Sequence, residues 1–358
     1  VPSLKIASSP TLGELLIPTL LENFAASRGY RLAAKATSRN SLEIDALAPG
    51  SGHIAARIHL VLLNGLESYQ ALASQDADII FSHRGPTESE IADLKNARRT
   101  PLKSQIVGWE NLRLYTKENG PVEALTVRQL SEITRDENQT WPDFPDLPVY
   151  IEGDTDNIIA LHQTMDRNLP DPILPKSRVT GDGVLFVTPN LSLPYQHIPV
   201  SANCGTPVKY SEDDFGAHPL RAPIFMTAAN RRLPKVFRDF QRYVLSVSAQ
   251  RAVARSGFES RTPTESRLDA DQSILLSAVL NSGNDVRLSD FRNAVKYLKD
   301  FGRLSLTFRF LDGSKELDDT SKSNLRFLAE LLQQGRYANR EVLFAGFSDS
   351  SGAAAANL

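Results

Sequence analysis

Three clusters along the chain combine hydroxyl, guanidinium and carboxylate groups at spacings suited to capturing a small charged molecule. Ser8, Ser9 and Thr11 stand where the apolar run Leu4-Lys5-Ile6-Ala7 gives way to a helical pattern. Free amides at such a helix start, with the helix dipole behind them, hold anions without any lysine. Ser82 and Arg84 follow the run Asp78-Ile79-Ile80-Phe81, and a guanidinium there can take two oxyanion oxygens at once. The third cluster is Glu152-Gly153-Asp154-Thr155-Asp156-Asn157-Ile158. Its three carboxylates would each repel an anion by about 1 kcal/mol in an exposed setting. Each cluster also has a plainer reading. Ser8, Ser9 and Thr11 suit ordinary capping, Arg84 could be a surface arginine beside Pro86, and Asp156 could cap the helix that follows it.

Catalytic and metal chemistry find less support. His53, His59, His83, His162, His197 and His218 are dispersed without metal-ligand spacing. Asp154 and Asp156 read as a solvated loop rather than a general acid/base couple. Neither a Gly-rich phosphate loop nor a nucleophile elbow is present. Cys204 is the only cysteine, so it reads as a small core or turn residue. The expectation is a binding protein without cofactor or metal, not an enzyme.

The elements that position these clusters alternate between strand and helix. Thr11 with Glu14 matches a capping box, and Leu12, Leu15, Leu16, Leu20 and Phe24 recur at helical spacing up to Gly29. Pro18 inside that pattern predicts a kink or break. Ile58 to Leu63 predicts a strand, Asn64-Gly65 a turn, and Ser68 to Ser74 a short helix. Thr87 with Glu90 is a second capping box. The grammar restarts with a strand over 107–115, a helix over 126–133, a strand over 147–151, a helix over 156–165 and a strand over 183–187. A long amphipathic helix bears Val236, Phe237, Phe240, Tyr243 and Val244, and a second runs through Val253. This is α/β layering.

After Phe258 the texture changes. Residues 261–273 read as a linker. A helix follows with Phe291, Val295, Leu298 and Phe301 on one face. Leu304, Leu306, Phe308 and Phe310 alternate with polar neighbours as in a half-buried strand. Leu325, Leu328 and Leu332 predict a helix stripe, and 341–347 another strand.

At 358 residues the chain is long enough for two or three domains. Its 40 basic and 42 acidic side chains leave a net charge of −2. With no basic stripe, nucleic acid is not an expected partner. No apolar run approaches the ~20 residues needed to span a bilayer. The opening Val1-Pro2-Ser3-Leu4 fits a cytosolic chain or a mature chain whose signal was removed.

Residues 4–258 resemble phosphate-type solute-binding proteins of ABC importers, which have the type II periplasmic-binding fold. The resemblance lies in Ala7-Ser8-Ser9-Pro10-Thr11, Ala77 through Arg84, Leu125-Thr126 through Leu130 before Trp141, and Ser248-Ala249-Gln250 with Val253 and Gly257-Phe258. It implies two lobes, 1–103 with 196–260 and 104–195, joined by crossovers near 102–108 and 188–196. It also implies a ligand held by Ser8, Ser9, Thr11, Ser82, Arg84 and Asp156, with an ABC permease as a partner. Where that family carries a Ser-Gly-Thr-like step, this chain carries its acid-rich stretch. A cationic or neutral ligand, or none, therefore stays open beside phosphate or another oxyanion.

Residues 303–358, after a linker and helix over 261–302, resemble the opening half of an OmpA-like domain. The matching strings are Phe310-Leu311-Asp312-Gly313-Ser314 with Leu317, and Gly346 through Gly352 with Asn357. This second resemblance implies a peptidoglycan-binding loop built from Ser348, Asp349, Gly352 and Asn357. The family's partner arginine is expected past Leu358, so this chain alone is not expected to hold peptidoglycan.

Together these readings predict a periplasmic ligand-binding protein associated with the cell wall or outer membrane. The alternative is an envelope scaffold or sensor with no small-molecule ligand.

Overall fold

The computed structural model describes residues 1–99, 102–117, 122–135, 140–141, 144–148, 150–153, 155–165, 184–188, 195–201, 220–229, 232–267, 289, 292–293, 296–297, 301–306, 308, 315–317 and 319–344. It opens with strand β1 (Ser3–Ser8), a π-helical turn (Leu12–Leu16) and helix α1 (Ile17–Ser27). Strands β2 (Arg31–Ser38), β3 (Ser41–Leu47) and β4 (Ile54–Leu62) follow. Then come helix α2 (Gly65–Ser74), strand β5 (Ile79–Ser82), helix α3 (Glu88–Asn96) and strand β6 (Lys103–Asn111).

The chain crosses into a second lobe at β7 (Arg113–Lys117) and continues through β8 (Leu125–Thr126), helix α4 (Val127–Arg135), β9 (Thr140–Trp141) and β10 (Phe144–Pro148). After these come β11 (Tyr150–Gly153), helix α5 (Thr155–Met165), β12 (Val184–Thr188), β13 (Tyr195–Ile198) and β14 (Val200–Ser201). Strand β15 (Arg221–Ala228) returns to the first sheet, followed by helices α6 (Lys235–Val244) and α7 (Val247–Arg255).

The first sheet has the order β2-β3-β4-β1-β5-β15-β6, and the second has β11-β12-β7-β13. β1 runs parallel to β4 and β5, while β15 is antiparallel to β5 and β6. Each lobe has its own core. Ile6, Phe81, Val107, Phe237 and Phe240 belong to the first, and Leu114, Leu130, Ile158 and Leu185 to the second. Phe24 meets Phe240 edge to face at 5.4 Å, the geometry that the ring quadrupoles favour.

The strands place both crossings later than the sequence pattern did. Asn111 still belongs to the first sheet, paired with Arg221, whereas the next residue, Leu112, is buried in the second core. Residues 195–198 pair with β7 in the second sheet, and Leu220 is still in the second core. Residues 107–115 are buried or half-buried on both sides of the crossing, polar Glu110, Asn111 and Arg113 included, and so no polar, exposed stretch marks the step.

The first helix also departs from the simple pattern. Thr11 has helical dihedrals (φ −58°, ψ −48°) and no side-chain cap, so the capping box expected with Glu14 does not form. The Ile17 N–H reaches back five residues to the Leu12 carbonyl. That wider turn absorbs the break expected at Pro18 and turns Leu15 outward, 50% exposed. The helix ends as anticipated. Gly29 has φ +69°, its N–H reaches Ala26 O, and the Tyr30 N–H reaches Ala25 O, closing a Schellman motif.

Downstream, the expected linker is partly structured. Strand β16 (Glu265–Arg267) pairs antiparallel with β17 (Gly302–Leu304). Helix α8 (Asp319–Gln333) buries Phe327, Leu328 and Leu331, leaving Leu325 and Leu332 exposed. Its inward face is thus one residue away from the stripe read off the sequence, turned toward α7 and β6. Residues 341–344 form no strand. The peptidoglycan-site residues Ser348, Asp349, Gly352 and Asn357 lie outside the described residues. No helix among the described residues is long and apolar enough to cross a membrane.

Candidate functional site

Asn64-Gly65, read from sequence as a turn, is instead the start of α2. Asn64 caps the helix, with Glu67 completing a reciprocal capping box. That box leaves the first helical amide, Gly65 N–H, to donate at 2.6 Å to Asp156 Oδ2 in the other lobe. A Cβ at Gly65 would stand 2.1 Å from Asp156 Oδ1, so only glycine allows this approach.

Arg84 leaves the end of β5 and is 1% exposed. Its Nη1 and Nη2 both donate to Glu90 at 2.7 Å, and its Nε donates to Asp156 Oδ1 at 3.1 Å. The guanidinium lies 5.0 Å from the Tyr69 ring centroid, and the Tyr69 hydroxyl donates to Arg84 O at 3.1 Å. Burial works against the charge on Arg84, but the hydrogen bonds and negative charge of Glu90, and then Asp156, outweigh it and raise its pKa. Burial also raises the Tyr69 phenol, keeping it a neutral donor. A further bridge between lobes runs from the Gly85 N–H to Gln163 Oε1 at 2.9 Å.

A helix-start amide and a buried guanidinium converge on two oxygens of one oxyanion, and that oxyanion is Asp156. The acid expected to repel a ligand, or merely to cap α5, thus pairs with an amide and a guanidinium of the other lobe. For Glu152 and Asp154 no side-chain geometry is described.

The remaining predicted residues divide. Ser8 is buried, with its hydroxyl donating to Ser9 O at 3.2 Å. Ser82 Oγ accepts the Arg84 N–H at 3.3 Å. Thr11 is exposed and contributes nothing here. Ser9 Oγ lies 3.0 Å from His83 Nε2, and His83 Nδ1 lies 2.5 Å from Glu110 Oε2. Both Ser9 and His83 sit at the carboxyl ends of adjacent parallel strands, where α/β sheets place their sites.

Sequence reasoning missed Gly65, Glu90, Glu110 and Gln163 as site residues. Glu90 carried a local signal, its capping box with Thr87, which does form. The same carboxylate also holds Arg84.

The sheet order and the paired crossings define the two-lobed type II periplasmic-binding fold. A family model described as a PBP superfamily domain matches residues 67–168, a span that contains Arg84, Glu90 and Asp156. An ABC-type phosphate transport receptor from Vibrio cholerae is structurally similar, with a TM-score of 0.50 at 13% identity over 72% of this chain and 99% of that one. A putative phosphate ABC transporter substrate-binding protein from Clostridium perfringens, solved with bound phosphate, aligns at a TM-score of 0.45 and 14% identity over 72% of this chain and 99% of that one. No curated protein matches the chain in sequence.

Proposed function

We propose that the chain is a periplasmic two-lobed binding module whose oxyanion position is held by its own Asp156, and that it works as a wall-tethered scaffold or sensor rather than as a phosphate carrier. The observation that carries this reading is the Asp156 carboxylate seated between the Gly65 amide and the Arg84 guanidinium. A free oxyanion must displace a tethered one that costs no translational entropy to keep, and it must enter beside Glu90. The likeness to phosphate receptors supports the periplasmic setting and the binding-protein ancestry. The tether rests on the OmpA-like strings. There the Asp349 carboxylate would accept from the ammonium of a diaminopimelate stem peptide. A receptor that delivers solute to a permease gains little from such an anchor.

Calorimetry with inorganic phosphate tests the reading. The wild-type chain gives no binding heat at micromolar concentrations, and Asp156→Ala, which vacates the Gly65 amide and Arg84, gains phosphate binding. Micromolar affinity in the wild type, about −8 kcal/mol, would overturn it.

A further inference from the structure

Ser9, His83 and Glu110 stand in a row separate from the Arg84 contacts: Ser9 Oγ is hydrogen-bonded to His83 Nε2 at 3.0 Å, and Glu110 Oε2 lies 2.5 Å from His83 Nδ1 as a charge contact, out of line for a hydrogen bond. All three are buried, at 5%, 5% and 9% exposure. The negative charge of Glu110 beside Nδ1 favours the tautomer that carries the ring proton there. The Nε2 lone pair then faces Ser9 Oγ and accepts its hydroxyl proton.

The backbone around Ser9 fits the same chemistry. Ser9 follows the last residue of β1 and stands at the cap of the helix, with the Gly13 N–H bonded to its carbonyl. It spends its hydroxyl on His83 rather than on capping. Pro10 has no N–H, and the amides of Thr11 and Leu12 precede the first intrahelical bond. A strand, a serine and a helix start thus place a nucleophile next to two amides able to stabilise an oxyanion.

We propose that Ser9 is a nucleophile toward small esters, with His83 as its general base and Glu110 as the positioning residue. Oγ forms a bond to the acyl carbon while His83 takes the hydroxyl proton. The ester C–O bond then breaks, and the same proton passes to the leaving alkoxide. Water, deprotonated by His83, releases the acid and restores Ser9.

Diisopropyl fluorophosphate and p-nitrophenyl acetate are the probes. The full chain forms one phosphoryl adduct with loss of fluoride, located on Ser9 by peptide mapping, and releases about one equivalent of p-nitrophenolate in a burst. Labelling is lost in Ser9→Ala and slows ~100-fold or more in His83→Ala. It also slows in Glu110→Gln, with partial recovery in Glu110→Asp. Because the adduct is located in the wild-type protein, a misfolded variant cannot imitate the result. A folded wild-type chain with no adduct on Ser9, or a folded His83→Ala chain labelled at the wild-type rate, overturns the proposal.

Discussion

Glu90 meets Arg84 through both carboxylate oxygens, and the oxygen that accepts Arg84 Nη1 also accepts the Thr87 N–H at 2.8 Å. One side chain therefore closes the start of α3 and neutralises the buried guanidinium. Glu90→Gln keeps the shape but withdraws the charge, leaving Arg84 with Asp156 as its one counter-ion among the described residues. Removing one partner of a buried pair typically costs 3–5 kcal/mol. With Asp156 still in place, the expected loss is about 3 kcal/mol in urea unfolding, with the m-value unchanged.

Helix α8 is expected to unfold together with the first lobe rather than on its own. Phe327 is buried under the Arg261 guanidinium, 4.9 Å from its ring centroid. Both Glu330 oxygens accept the Val247 N–H, at the start of α7. Phe327→Ala should lower the stability of the first lobe by about 3–4 kcal/mol. Differential scanning calorimetry should show the endotherm of the first lobe shifting. An unmoved endotherm would show that α8 is energetically separate.

His162 supplies a pH dependence with a definite sign. It is 5% exposed and its Nδ1 has no hydrogen-bond partner among the described residues, and burial lowers its pKa below 6.5. The unfolded chain takes up a proton near 6.5 while the folded chain resists until lower pH, so in that window the unfolded state binds more protons. Stability is then lost as pH falls from about 6.5 toward the folded pKa. Urea unfolding at a series of pH values should show the decline, and His162→Gln should flatten that part of the curve.

These residues also show which contacts could be read from sequence. Thr87 with Glu90 and Gly29 after α1 are local devices, three residues or one turn long, and both form as read. Arg84 was legible as a candidate because it follows a buried strand, but its partner Asp156 lies 72 residues away. Ser9 and His83 are 74 residues apart and meet only because β1 pairs with β5. Nothing local at Glu110 points to an imidazole. Asn64-Gly65 was misread because a turn and a capped helix start use the same two residues, and only Glu67 separates them.

The Gly65–Asp156 contact can be isolated by a double-mutant cycle. Alanine is the best helix former, and Gly65 is the first residue of α2, so Gly65→Ala should by itself leave the helix intact or strengthen it. Its Cβ would nevertheless stand 2.1 Å from Asp156 Oδ1, and the carboxylate must leave the amide. Displacement costs the charge-assisted hydrogen bond and weakens the Arg84 contact behind it, about 2 kcal/mol together. In an Asp156→Ala background there is no carboxylate to displace, so the same substitution should cost close to nothing. The coupling energy should therefore approach the whole penalty of Gly65→Ala, against the few tenths of a kcal/mol seen for independent sites. Phosphate titration supplies a second reading from the same four proteins. Asp156→Ala gains binding, whereas Gly65→Ala, Asp156→Ala gains less because the new methyl partly fills the vacated position. Equal costs of Gly65→Ala in both backgrounds would show that Asp156 does not rest on the Gly65 amide in solution.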